Sequence, residues 1–411
     1  MKHANDLTNA PKLMINAQKA ITIILDSVRP LGTITVSLQH ALGLVLGEDI
    51  TSIENIPQFD NAAMDGYAVL TQDIQRVPTV LTVVEEIAAG SIPKGVLQSR
   101  QAMSIMTGAK IPAGCDAIVQ QELTERISNE QVKVLQTVPV GHNIRRAGAD
   151  IQKDSLVLSN GQRLRPQEIG ILASLGKRFV EVYRRASASI LATGNEVVDI
   201  QQPLPEGKIR NSNAYTLCAL VQELGCEAKN IGIAHDDRND LRSKMTEGLR
   251  SDMLITSGGV SVGKYDLVVD VLKELGAEIK FWKVNIKPGM PLLFGLYHKK
   301  PVFGLPGNPV STIITFLQFV KPALLKMMGH TVGETGFRIH ARLDEDIRKT
   351  DGKRHFVRGV LESRNGSLVV RTTGAQVSNI LTSLSKANCL IILPEEAEQV
   401  RAGEQVEVEL L

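Results

Sequence analysis

Four polar turns hold most of the residues able to do chemistry: TGNEV from Thr193, HDD from His235, TSGGVSVGKYD from Thr256 and LPGNPVS from Leu305. The third of these contains SGGVSVG, which sets Gly258 and Gly259 between Ser257 and Ser261 just ahead of a predicted helix. Free backbone N–H groups, hydroxyls and the helix dipole suit such a turn to a phosphate-like anion. Glu196, Asp236, Asp237 and Asp266 come from three of the turns. Carboxylates gathered beside a phosphate site are what Mg²⁺ requires, because it takes oxygen ligands and bridges phosphate oxygens. Asp236 and Asp237 have a simpler reading as solvated turn residues or as a helix cap before Arg238. In PGNPVS, Pro306 precedes Asn308, a good N-cap, and Pro309 suits a first helical position, so the turn either starts a helix or holds a substrate ring or phosphate. Lys283 and Lys287 stand four apart in FWKVNIKPGMP, which on a strand directs both ammonium groups to one face, for solvation or for an anion.

Elements that would position these turns follow from periodicity. Apolar residues recur at three- and four-residue steps from Met14 to Val28, predicting a helix over about 11–27 that Arg29-Pro30 stops. From Thr33 to Val182, short alternating runs separated by Gly/Pro turns read as β-rich, with one region inserted into another. After Ser187 the pattern changes. Strands ASILAT, NIGIAH, DMLITS and IKFWKV alternate with helices over about 213–224, 238–250 and 265–275, predicting right-handed crossovers and a mainly parallel sheet. Strands PLLFGL and PVFGL and a helix over about 309–328 complete that domain. The last 80 or so residues return to short strands, suggesting a small barrel or sandwich. In open parallel sheets ligands bind outside the carboxyl ends of the strands, and all four polar turns fall there.

At 411 residues the chain is long enough for several domains. Its 43% hydrophobic and 22% charged residues are those of a soluble globular protein. With 46 basic and 44 acidic residues the net charge is +2, so no general attraction to nucleic acid or membrane is expected, and 4% aromatic residues leave few platforms for stacking bases. No apolar stretch looks long enough to span a bilayer, and the N-terminus lacks a signal-peptide layout, so a cytoplasmic location is expected. Cys115, Cys218, Cys226 and Cys389 have no CxxC spacing and read as core thiols. The eight histidines form no triad or metal spacing. Basic residues outnumber acidic ones nine to four between Arg145 and Arg185 and eight to five between Arg342 and Arg371. Each excess is either a solvated face or part of a surround for an anionic ligand.

NAAMDGYAV (Asn61 to Val69), MTGA (Met106 to Ala109), NIRRAGADI (Asn143 to Ile151), TGNE, SGGVSVG, KPGMP and GLPGNPVS, in this order, resemble the molybdopterin molybdenumtransferase family, which includes the C-terminal domain of gephyrin. The resemblance spans residues 10–411. It implies a multidomain α/β plus β protein: a discontinuous β-rich first domain with an N-terminal helix (1–55 and 141–182), an inserted β-rich second domain (56–140), an α/β/α molybdopterin-binding domain (183–330) and a C-terminal β-barrel (331–411). It further implies a homodimer that makes molybdenum cofactor and AMP from adenylylated molybdopterin and molybdate, assisted by Mg²⁺ or Zn²⁺. Hand-over to a molybdopterin adenylyltransferase or to molybdoenzyme chaperones is a further expectation.

By the same resemblance, Glu196, Asp236 and Asp266 serve as catalytic and metal-binding carboxylates. Asp65, Thr107, Arg145 and Asp150 complete the site from the partner subunit, and Ser261, Lys283, Lys287, Arg358 and Ser378 bind substrate phosphate or molybdate. Three positions depart from the family pattern: Met290 stands where a lysine is common, Asn195 where an aspartate is, and Ala149 where a glutamate is. An adenylyltransferase-type enzyme sharing the α/β domain and a non-catalytic scaffold are the alternatives. The retained Asp65, Glu196, Asp236 and Asp266 favour an enzyme, and AMDGYAV with the C-terminal strands favours the molybdenum-inserting one. A nucleotide-dependent oxidoreductase lacks support, since the first βα turn has no GxGxxG.

Overall fold

The computed structural model describes residues 14–259, 267–331 and 337–411, which form two compact units. One takes Met1–Gly47, Gly161–Pro166 and Phe179–Leu411; the other takes Glu48–Asn160 and Gln167–Arg178.

In the first unit an α/β layer follows the predicted alternation: β1 (Ser187–Thr193), α1 (Ser212–Glu223), β2 (Glu227–Ala234), α2 (Arg238–Gly248), β3 (Met253–Ser257), α3 (Leu267–Glu274), β4 (Glu278–Phe281), β5 (Leu293–Tyr297), β6 (Lys300–Leu305) and α4 (Pro309–Thr315). The strand order is β2-β1-β3-β6-β5-β4. The first four strands are parallel, so their carboxyl ends share one edge. β5 runs antiparallel to both neighbours. It joins β6 through His298 and Lys299, both at positive φ (47° and 69°), and a two-residue turn can only reverse the chain. Alternation along β1 sends Ile190 into one core and Leu191 into another, as expected of a sheet covered on both faces.

The N-terminal helix spans Ala17–Ser27. It starts later than periodicity alone predicts because the Asn16 side chain caps it, accepting from the Lys19 N–H at 2.7 Å. The long C-terminal helical run continues from α4 through a π-turn at Phe316–Val320 into Lys321–Met327. Taken together, Pro309–Met327 is long and apolar enough to cross a membrane by length and composition, although polar residues such as Gln318 and Lys321 interrupt it, and 72% of its 18-residue apolar window is buried within the protein.

β7 (Arg338–Leu343), β8 (Arg354–Arg364), β9 (Ser367–Thr372), β10 (Cys389–Leu393) and β11 (Gln405–Leu410) pair in the order β8-β9-β7-β11-β10, and β10 pairs again with β8. The sheet therefore closes, which decides for a barrel over a sandwich and leaves these strands no open edge. Leu343, Val357, Val370, Ile391 and Val408 are among its buried apolar side chains.

The second unit is built on a six-stranded sheet in the order Ala117–Gln120, Gly66–Val69, Gln101–Ile105, Thr79–Ile87, Gln131–Val134 and Thr124–Arg126. Cys226 and Cys389 are buried, as expected of core thiols, whereas Cys115 and Cys218 are only half-buried. Burial raises all four thiols, Cys226 to about 12 and Cys115 and Cys389 to about 11, which leaves them protonated and unreactive at neutral pH.

Candidate active site

Parallel strands deliver Thr193, Ala234, Ser257 and Leu305 to the same sheet edge, and the turns leaving them are tied to one another. The Gly194 N–H donates to the Ala234 carbonyl at 3.2 Å, and the Gly258 N–H to that of Leu305 at 3.1 Å. Asn195 and Asp236 hold each other reciprocally. The Asn195 N–H donates to Asp236 Oδ2 at 3.2 Å, and the Asp236 N–H donates to Asn195 Oδ1 at 3.1 Å. An amide oxygen and a carboxylate oxygen thus tie the two turns together.

Glu196 and Asp236 line one cavity of about 490 Å³ with Thr193, Gly194 and Gly259. The two adjacent aspartates have separate tasks. Asp237 caps α2, its Oδ1 accepting from the Asn239 and Asp240 N–H groups at 3.0 Å each, while Asp236 lines the cavity. The expected third carboxylate, Asp266, and the expected ligand Ser261 lie outside the described residues. Among the described residues no cluster of three metal-ligating side chains occurs. Glu196 and Asp236 nevertheless offer hard oxygen donors to one space, the donor chemistry that suits Mg²⁺.

The SGG turn needs its glycines. Gly258 (φ +94°) and Gly259 (φ +67°) are left-handed, and a Cβ on them would lie 2.5 Å from the Thr193 carbonyl oxygen and 2.6 Å from Val268 Cγ2, respectively. Asn213, in the first turn of α1, joins this turn to the PGN turn. Its Nδ2 donates to Ser257 Oγ at 2.9 Å and to the Gly307 carbonyl at 2.8 Å. The Pro306 carbonyl accepts from Thr312 Oγ1 at 2.6 Å and from Ser257 Oγ at 3.4 Å. Pro309 occupies the first turn of α4 as expected, but Asn308, though at the cap position, makes no side-chain cap bond. Ser378 reaches the same place by its backbone, its carbonyl accepting from the Val310 N–H at 3.2 Å.

One expectation is corrected. Lys283 and Lys287 do not share a strand. β4 stops at Phe281, Val284 bridges Ile15, and Ile286–Lys287 pairs in parallel with Arg354–His355 at the start of β8. Lys283 Nζ lies 5.8 Å from the Trp282 ring centroid, while Lys287 Nζ is paired with Asp351 at 3.2 Å. Asp351 also contacts His355 Nε2 at 2.7 Å, so one of the eight histidines does find a carboxylate. Burial raises the Asp351 carboxyl, but its bonds to His355 and Lys287 outweigh this and bring it to about 2. Burial lowers His355, opposed by Asp351.

Arg358 is 1% exposed, its guanidinium turned into the protein. It donates to Ser383 Oγ at 3.1 Å and to the carbonyls of Ala375, Gln376 and Val377 at 3.1–3.3 Å. It therefore shapes the loop that carries Ser378, and burial lowers its pKa.

In the second unit, Asp65 and Thr107 meet. Asp65 Oδ1 accepts from the Thr107 N–H at 2.7 Å and from its hydroxyl at 2.8 Å, and these bonds hold the carboxyl below its usual value. Arg145 is exposed on a two-residue strand paired with Asn61–Ala62, and Asp150 is exposed, its N–H donating to the Ile56 carbonyl. Asp60, which sequence reasoning missed, organises this stretch by accepting from Arg146 Nη1 at 2.6 Å and the Ala147 N–H at 2.8 Å. Asn213, Asp351 and His355 were missed too. The Asn-rich start of α1 was the only local signal for any of them.

A Gly-rich turn and two carboxylates on the carboxyl edge of a parallel sheet, in a chain that also carries a β-rich unit and a closed barrel, suit a multidomain protein that binds a phosphate-bearing ligand. Residues 189–326 match a probable molybdopterin binding domain, 15–176 the MoeA N-terminal region (domain I and II), and 340–411 the MoeA C-terminal region (domain IV). The chain is 37% identical over 382 residues to a molybdopterin molybdenumtransferase of Haemophilus influenzae, covering 92% of this chain and 94% of that one. It is 35% identical to the Bacillus subtilis molybdopterin molybdenumtransferase, covering 92% and 89%. A crystal structure of a molybdopterin biosynthesis MoeA protein from Pyrococcus horikoshii superposes with a TM-score of 0.84 at 32% identity, covering 97% of this chain and 100% of that one. The chain belongs to the molybdopterin molybdenumtransferase family.

Proposed function

We propose that the protein inserts molybdenum from molybdate into adenylylated molybdopterin, releasing AMP and forming molybdenum cofactor. The observation that carries this reading is the single cavity that brings Glu196 and Asp236 beside the Gly259 turn. Glu196, Asp236 and, by the family pattern, Asp266 would hold Mg²⁺ or Zn²⁺, which when bound neutralises phosphate oxygens. The Gly258–Gly259 turn, whose lack of side chains lets backbone come close, holds the phosphate arm of the substrate, with Ser257 bracing the turn through Asn213 and the Pro306 carbonyl. Lys287 attracts molybdate, and Ser378 closes the other side on the loop built by Arg358. No covalent nucleophile is required of the protein. Holding two anionic reactants together and stabilising the charge on the departing AMP supplies the rate.

The reading includes a homodimer in which Asp65, Thr107, Arg145 and Asp150 complete the site of the other subunit, the four-part domain division given above, a cytoplasmic location and hand-over of the product to a molybdoenzyme chaperone. The test is incubation with adenylylated molybdopterin and molybdate, following AMP release and cofactor formation together. Molybdate-dependent formation of both is expected. Consumption of ATP with free molybdopterin would instead favour the adenylyltransferase reading, and absence of any turnover a scaffold.

A further inference from the structure

Thr193 ends β1, and its hydroxyl is an exception in a well-satisfied interior. The residue is 2% exposed, yet Oγ1 has no hydrogen-bond partner among the described residues. The preceding residues Ile190, Leu191 and Ala192 are apolar and buried, and a valine would pack in the same shape without stranding a polar group. A hydroxyl withdrawn from water and left unpaired destabilises the fold, so its retention calls for a partner that arrives from outside.

Its surroundings indicate that partner. Thr193 lines the cavity that contains Glu196, Asp236 and Gly259. Oγ1 lies against the SGG turn: a Cβ on Gly259 would be 2.8 Å from it, and one on Gly258 3.1 Å. The absence of side chains at both glycines leaves the hydroxyl beside the stretch of backbone best shaped to approach a phosphate.

We infer that the Thr193 hydroxyl binds substrate, donating a hydrogen bond to a phosphate oxygen of the adenylyl arm. This rests on the proposed function and adds a residue to it. The carboxylates at the cavity accept and cannot donate, so the hydroxyl supplies what an anion needs beyond the backbone N–H groups. The geometry also makes an unusual pair of demands on one substitution. Thr193→Val removes the unpaired hydroxyl while keeping the shape of the side chain, so the free protein gains or keeps stability while the liganded protein loses a bond.

The test uses the full chain with AMP and Mg²⁺ as the probe, by calorimetric titration and by thermal unfolding. Thr193→Val is expected to bind AMP about tenfold to a hundredfold more weakly, with a melting temperature equal to or above that of the parent. Thr193→Ser, which restores the hydroxyl, should bind within about threefold of the parent despite a lower melting temperature from the lost methyl. Unchanged AMP affinity in Thr193→Val, in a parent that binds AMP and releases it from adenylylated molybdopterin, overturns the role of Thr193 alone. A lowered melting temperature in Thr193→Val with weak binding in both variants would mean that the hydroxyl is structural and also overturns it. A parent that neither binds AMP nor releases it would overturn the functional reading together with this one.

Discussion

Lys287 has its charge partly balanced by a neighbour. Its ammonium is shared with Asp351, which is shared in turn with His355. The lysine proposed to attract molybdate is therefore partly neutralised by its own protein, and Met290 adds no charge at the same turn. Met290→Lys should lower the molybdate concentration for half-maximal rate by about tenfold, with little change in the requirement for the adenylylated pterin. Rates measured across molybdate concentrations at fixed ionic strength check this, and an unchanged half-maximal concentration would show that Met290 does not limit oxyanion capture. His355 makes a pH prediction. Burial lowers its folded pKa from 6.5 despite Asp351, so the folded state takes up a proton less readily than the unfolded one. Stability should then fall as pH drops below about 6.5 toward the lower folded value. In His355→Gln the decline in melting temperature between about pH 7 and 5 should be shallower; an identical decline in both proteins would remove His355 as its source.

At the scale of elements, the turn between β2 and α2 shows how adjacent identical side chains divide labour. Asp237 satisfies the first N–H groups of α2, and Asp236 is oriented by Asn195 toward the cavity. Asp237→Ala should cost about 1 kcal/mol of stability and leave the Mg²⁺ dependence of AMP release nearly intact. Asp236→Asn should do the reverse, with a small stability change and a large loss of AMP release at limiting Mg²⁺. Urea unfolding and AMP release measured on both variants separate the two, and equal effects of the two substitutions on AMP release would contradict the assignment. A comparable division occurs around β1 and β3. The Arg184 guanidinium grips Asp252 at 2.7 and 2.8 Å while Ser187 donates to the same carboxylate, anchoring the strand ends opposite the turns. Burial raises Asp252, but these donors prevail and bring it to about 2.

For the whole molecule, candidate residues fall in both compact units, Asp65 and Thr107 in one and Glu196 and Asp236 in the other. If a dimer joins the two sets across subunits, mixing an Asp65→Asn subunit with an Asp266→Asn subunit should restore part of the activity that each lacks alone. With random pairing, about a quarter of the parent rate is expected, since half of the dimers are mixed and each mixed dimer carries one intact site of its two. Activity of the mixture no greater than that of the separate variants, in samples shown by sedimentation to exchange subunits, would place both groups in one subunit's site.

Much of this organisation is legible in the amino-acid sequence. The alternation of strands and helices after Ser187, the Gly258–Gly259 turn and the acidic turns are local signals, because crossover topology, left-handed backbone and strand-edge placement each depend on nearby residues. Local pattern also indicates short strands at the C-terminus, but closure of β10 onto β8 required the tertiary pairing of residues distant in sequence. The same limit applies to the surroundings of single side chains. Lys283 and Lys287 have strand-like spacing, yet bridging of Val284 to Ile15 and pairing of Ile286–Lys287 with Arg354–His355 break that strand. Arg358 has the charge of an anion ligand, but the loop 375–377 encloses its guanidinium. Thr193 resembles one more strand residue, and only packing beneath the glycine turn leaves its hydroxyl buried and unpaired among the described residues. Residue types and short spacing thus determined which chemistry was available, whereas the tertiary structure decided which polar groups were already consumed by the protein, because a hydrogen bond between distant segments leaves no periodicity in the chain.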